Sequence, residues 1–130
     1  MNTSERAVAR AIEYMFSNLR EEVTVEDMAR AAMFSKFHFT RLFRRVTGAS
    51  PGRFLTAVRL QEAKRLLLST PMSVIQVSRL VGYASVGTFG AKFSKSVGVP
   101  PSIYRRCVHR VPLSAVNSGN GQLGTSERTA

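Results

Sequence analysis

The stretch VTVEDMARAAMFSKFHFTRLFRRVTGASPGRF (Val23–Phe54) decides the fold, because it recurs later in the chain as MSVIQVSRLVGYASVGTFGAKFSKSVGVPPSIYR (Met72–Arg105). Val25, Met28, Ala29 and Ala32 stand opposite Val74, Val77, Ser78 and Val81 at an offset of 49. One residue is then inserted, and Ser35, Phe39, Phe43, Gly48, Pro51 and Phe54 stand opposite Ser85, Phe89, Phe93, Gly98, Pro101 and Tyr104 at an offset of 50. The insertion falls where each unit must turn, and turns tolerate insertions best. Each unit has the grammar of two helices joined by a tight turn. Thr24 with Asp27, and Ser73 with Gln76, fit a capping box, in which side chains satisfy the free N–H groups at a helix start. A short apolar helix follows, and small Ala29 and Ser78 let a second helix pass close by. Ser35 and Ser85 are the expected N-caps of those second helices. Phe39, Leu42, Phe43 and Val46 then share one face of the first, and Phe89, Phe93 and Val97 one face of the second. Gly48 and Gly98 suit the left-handed residue that ends a helix, and Pro51 and Pro101 the first position of the next. The fold class is all-α, built from two helix-turn-helix subdomains.

Working outward, Ser4 to Leu19 is expected to form an amphipathic helix through Val8, Ile12, Met15, Phe16 and Leu19. Pro51 to Leu68 has no breaker after Gly52 and reads as one continuous helix, ~27 Å long at ~1.5 Å per residue. That makes a stiff strut between the units. The expected organisation is residues 1–49 as an N-terminal helix plus the first helix-turn-helix, and 50–69 as the connecting helix. Residues 70–110 form the second helix-turn-helix plus a C-terminal helix, and 111–130, rich in Ser, Gly, Asn and Thr, a disordered tail.

Charge narrows the function. The 130 residues carry 19 Lys+Arg against 8 Asp+Glu, a net +11. Residues 1–27 hold three arginines and six acids, whereas residues 28–110 hold fifteen basic residues and one acid, Glu62, a net +14. Such a segment repels itself unless a polyanion screens it, which points to nucleic acid or an anionic membrane. The longest uninterrupted apolar run is Ala31–Phe34, far short of the roughly 20 residues that span a bilayer. No secretory signal is read at the N-terminus. The single cysteine, Cys107, has no partner for an internal disulfide, and the expected location is the reducing cytoplasm, at the nucleoid.

In a helix-turn-helix the second helix enters the major groove and the first braces it. The first unit's second helix offers Lys36, Phe37, Thr40, Arg41, Arg44 and Arg45 away from Phe39 and Phe43. Arg41 is the strongest base reader, its forked donors matching guanine O6 and N7. Thr40 is expected to donate to a base edge or pack on a thymine methyl, and Phe37 to pack or stack. Arg44 and Arg45, a turn further on, suit phosphates, which give affinity without sequence information. Ser35, Lys36 and His38 are further phosphate candidates. The second unit offers Val86, Gly87, Gly90 and Ala91 at base-reading positions, and Ser85, Thr88, Lys92 and Lys95 for phosphates. Two readings of its glycines stand side by side: drift at unimportant surface sites, or small residues that bring the backbone close to DNA, so that this unit contacts phosphates and methyls rather than hydrogen-bonding bases. The first unit is expected to carry most of the base readout. The strut plus the body of each unit suits two reading helices about 34 Å apart, one DNA turn, so a monomer serves an asymmetric site.

The strings SKFHFTRLFRRVTGASPGRFL, AVRLQEAKRLLLST and VGYASVGTFGAKFSKSVGVPPSIYR resemble the DNA-binding domain of the AraC/XylS transcriptional regulators over about residues 5–108. The second unit's Gly82, Tyr83, Ser85, Phe89, Phe93, Gly98, Pro101, Tyr104 and Arg105 match that family's signature. The resemblance implies a seven-helix, two-lobed fold with a long central helix, and sequence-specific promoter binding. The family's base-reading positions fall on Phe37, Thr40 and Arg41, and on Val86, Gly87, Gly90 and Ala91, where this sequence departs from the usual polar or Arg choices. It implies either a short stand-alone activator or the DNA-binding fragment of a longer effector-responsive regulator.

An enzyme is disfavoured: the chain has two His, one Cys and one Asp, no metal-ligand spacing and no phosphate-cradling glycine loop. No cofactor or metal is expected. A non-specific architectural binder, or a protein held to a membrane surface by charge, would explain +14 but not the repeated caps and turns. The expected partner is double-stranded promoter or operator DNA. RNA polymerase is a candidate second partner through the acidic first helix, Glu5 and Glu13, with Glu21 and Glu22 after it.

Overall fold

Local caps set where the helices begin. The computed structural model describes residues 1–109, and these form seven α-helices with no strand among them. They are α1 (Thr3–Ser17), α2 (Val25–Ala32), α3 (Lys36–Thr47), α4 (Pro51–Ser69), α5 (Val74–Leu80), α6 (Val86–Val97) and α7 (Pro101–His109). Thr24 Oγ1 accepts from the Asp27 backbone N–H, and the Thr24 N–H donates to the Asp27 carboxylate, both at 3.0 Å. These bonds, the Thr24 backbone N–H first among them, hold the Asp27 carboxyl below its ordinary range. Ser73 and Gln76 close the same box on α5, at 2.9 and 3.1 Å. Asn2 and Glu5 close a third on α1, so that helix starts earlier than its apolar pattern suggested. Ser35 and Ser85 cap α3 and α6, and Gly48 and Gly98, both left-handed, end them. The expectation for residues 111–130 lies outside the described residues.

The chain divides into two compact units within α4, one running Met1–Gln61 and the other beginning at Glu62. In the first, α1 packs on α2 and α3, and α2 on α3. Ala7, Val8, Ala11, Met15, Met28, Ala29, Ala32, Phe39, Leu42 and Phe43 form its core, joined by Leu55 and Val58 of α4. Phe43 stands between two rings, 5.5 Å from Phe39 and 5.2 Å from Phe54 in an edge-to-face arrangement. Two arginines serve carbonyls: Arg10 donates to Ala32 O at the end of α2 (3.3 Å), and Arg59 to Glu21 O (2.9 Å). Cations near a helix C-terminus also meet its negative dipole end.

The second unit repeats the device. Phe93 lies 5.7 Å from Phe89 and 5.5 Å from Tyr104, again edge-to-face with the ring of the following helix. Burial pushes the Tyr104 hydroxyl above its usual titration range. Ala63, Leu66 and Leu67 of α4, Val77, Ser78 and Val81, and the rings of Phe89 and Phe93 are all buried. Arg105 reaches back to the end of α4, donating to Leu67 O at 2.8 Å and Thr70 O at 3.3 Å.

Two positions depart from the pattern read in the sequence. Phe16 is 56% exposed and Val46 39%, although periodicity puts both on the apolar faces of their helices. The buried stripe of α1 runs through Ala7, Val8, Ala11 and Met15, and Phe16 is turned ~100° from Met15. Val46 keeps the direction of Phe39 but lies in the last turn of α3. α1 itself stops at Ser17, although Leu19 beyond it is buried.

The turn of the first unit carries strain. Met33 is the one non-glycine residue with positive φ (68°) among the described residues, and it is 80% exposed. Its counterpart in the second unit is Gly82, with φ 100°. The bonds match across the repeat: Phe34 N–H donates to Ala29 O at 3.0 Å, and Tyr83 N–H to Ser78 O at 2.9 Å. A side chain in this region costs about 1–2 kcal/mol, while glycine's extra freedom in the unfolded chain returns about 0.5–1. Met33→Gly is therefore expected to stabilise the protein by about 0.5–1 kcal/mol, read as a higher urea midpoint. A lower midpoint would show that the methionine side chain holds the turn.

Candidate nucleic-acid interface

The face of α3 opposite its buried phenylalanines is built by helical spacing. Phe39 and Phe43 are fully buried, so Phe37, Arg41 and Arg44, at i, i+4 and i+7, point the other way. All three are exposed, Phe37 by 76%. An aromatic ring held in water at the start of a helix is not part of the core. The ion pairs among the described residues engage Arg30, Lys36 and Arg65, and none engages Arg41, Arg44 or Arg45. Among the described residues their charge is left uncompensated by any ion pair, which is the electrostatic footprint of an anion-binding face.

The remaining first-unit candidates are placed less simply. Ser35 Oγ accepts from His38 N–H at 3.3 Å, which leaves its own hydrogen free to donate at a positive helix end. His38 is exposed and sets its ring edge-on to Phe34, 4.8 Å between centroids. Lys36 Nζ is held by Glu26 at 3.0 Å, and that contact keeps the Glu26 carboxyl below its ordinary range. A phosphate must compete with this carboxylate for Lys36. The half-buried Thr40 donates its hydroxyl to Lys36 O at 2.8 Å. Its proton is thereby committed to the helix, leaving a methyl group and an accepting oxygen outward.

α6 presents the same stripe in a different chemistry. Gly87, Ala91 and Ser94 occupy the positions of Phe37, Arg41 and Arg44. Val86, Gly87, Thr88, Ala91, Lys92 and Lys95 are exposed, and Gly90 is half-buried. Ser85 Oγ accepts from Thr88 N–H at 3.2 Å. Neither Lys92 nor Lys95 is engaged by the ion pairs among the described residues. Sequence reasoning misses the Glu26 partner of Lys36 and the left-handed Met33. The first lies ten residues from Lys36 on another helix, out of reach of local spacing. The second had one signal, its alignment with Gly82. No described helix is long and apolar enough to cross a membrane, and no group of three His, Cys, Asp or Glu among the described residues is placed to hold a metal ion.

A family defined by a helix-turn-helix domain matches residues 28–107. The lactose operon transcription activator of Staphylococcus xylosus is 32% identical over 98 residues, covering 75% of this chain and 35% of that protein. An AraC-type transcriptional regulator from Chromobacterium violaceum superposes with a TM-score of 0.74 at 25% identity, covering 79% of this chain and 92% of that one. The DNA-binding domain of AdpA, a global transcriptional factor solved in complex with a target DNA, gives a TM-score of 0.73 at 31% identity, covering 77% and 90%. The chain belongs to the AraC-type helix-turn-helix family, a family of DNA-binding transcriptional regulators rather than enzymes. It spans 35–41% of the length of the first curated relatives that it matches.

Proposed function

We propose that the chain is a sequence-specific double-stranded DNA-binding regulator that docks as a monomer, with its two helix-turn-helix units in successive major grooves. The first unit supplies most of the base readout: Arg41 to a guanine, with Phe37 and Thr40 packing on base edges. Ser35, Lys36, His38, Arg44 and Arg45 fix it to phosphates, as Ser85, Thr88, Lys92 and Lys95 fix the second. The observation that carries this reading is the outward stripe of α3, a 76% exposed Phe37 beside arginines that no carboxylate among the described residues engages. Phosphate contacts alone would need only charge, and an exposed aromatic at the groove-facing end of the helix adds shape. The work is done at promoter DNA in the cytoplasm, with RNA polymerase as the second partner and activation as the regulatory direction that the Staphylococcus xylosus relative suggests.

The test is selection of bound duplexes from a random pool. The expected product is an asymmetric site with two conserved patches about 10 base pairs apart, bound one protein per duplex. A pool that emerges with no preferred sequence would instead identify a non-specific architectural binder.

A further inference from the structure

We propose that the second unit reads bases through thymine methyl groups with no side-chain hydrogen bond to a base, whereas the first adds the hydrogen bonds of Arg41 to its apolar packing. The proposal rests on the DNA-binding reading above and deepens it. In the first unit, Glu26 and Lys36 form an ion pair at 3.0 Å. The repeat places Ile75 opposite Glu26 and Val86 opposite Lys36, and both are exposed, by 50% and 40%. Two positions that are charged in the first unit are thus apolar and exposed in the second. Further along α6, Gly87, Gly90 and Ala91 take the positions of Phe37, Thr40 and Arg41. A Cβ added at Gly90 would meet nothing within 4 Å, and one at Gly87 only Ser85 Oγ at 3.5 Å. Packing within the protein therefore does not require glycine at either position, although each weakens the helix relative to alanine. The room they leave opens outward. Val86, Gly87, Gly90 and Ala91 bear no hydrogen-bonding side chain, and the major-groove feature that carbon recognises is the thymine C5 methyl. Small residues let the helix come close enough for Val86 and Ala91 to bury it.

The experiment uses the full chain and a duplex selected from the random pool, with deoxyuridine replacing thymine in one half-site at a time. This removes the methyl and keeps every base-pairing group. In the second half-site, affinity is expected to fall about fourfold for each methyl covered. Val86→Ala should shrink the thymine-to-uracil ratio at one base pair and leave the first half-site's base preference as it was. Equal affinity for the two pyrimidines there, with site preference intact, overturns methyl recognition alone. Absence of site preference on any duplex overturns the DNA-reading proposal beneath it.

Discussion

Replacing Phe43 with alanine is expected to destabilise the protein by about 3–5 kcal/mol, the range for deleting a fully buried aromatic ring. Phe43 has no exposed surface and touches rings on both sides, Phe39 from its own helix and Phe54 from α4. A loss of that size is a large fraction of the whole stability of a small domain, about 5–15 kcal/mol. Phe37, six residues earlier on α3, is the control. It is 76% exposed, so Phe37→Ala should move stability by no more than about 0.5 kcal/mol. The two variants therefore separate a structural ring from the ring proposed to read DNA on one helix. Urea denaturation measures both, and hydrogen exchange locates the loss, which for Phe43→Ala should appear as lost protection in α2 and α3. If Phe37→Ala proved as damaging as Phe43→Ala, the outward orientation of Phe37 and the interface built on it would fail together.

What the sequence revealed, and what it concealed, follows the range of the interactions. Thr24 with Asp27, Ser73 with Gln76, and the serine caps of α3 and α6 are bonds between residues three apart, and each stands where its pattern placed it. Gly48 and Gly98 stop their helices for the same local reason. Periodicity did less well at the edges. It gives the direction of a side chain and not whether a neighbour waits there, which is why Val46 points with Phe39 yet stays 39% exposed. Contacts across long separations were illegible: Lys36 to Glu26, Arg10 to Ala32 and Arg105 to Leu67 each depend on how helices pack. The commitment of the Thr40 hydroxyl to Lys36 O also narrows a role that composition left broad. Met33 shows the opposite failure, since a methionine signals no turn, while the repeat itself held the answer in Gly82.

Arg41→Ala is expected to cost about 1–3 kcal/mol of binding on the preferred site, roughly 5- to 150-fold, and to abolish preference at one base pair. Arg41 is exposed, and no ion pair among the described residues engages it. Its removal should therefore leave the urea midpoint unchanged, so weaker binding would not reflect unfolding. Arg45→Ala and Lys95→Ala supply the contrast. As phosphate contacts they should weaken binding to every duplex by a similar factor and leave the selected sequence as it was. Arg41→Lys separates charge from geometry, because an ammonium keeps the attraction to DNA but lacks the planar fork that pairs guanine O6 and N7 together. It should recover part of the affinity and little of the base preference. Should Arg41→Ala weaken all sequences evenly while Arg45→Ala relaxes one base position, the two arginines exchange roles, and base reading lies a turn further along α3.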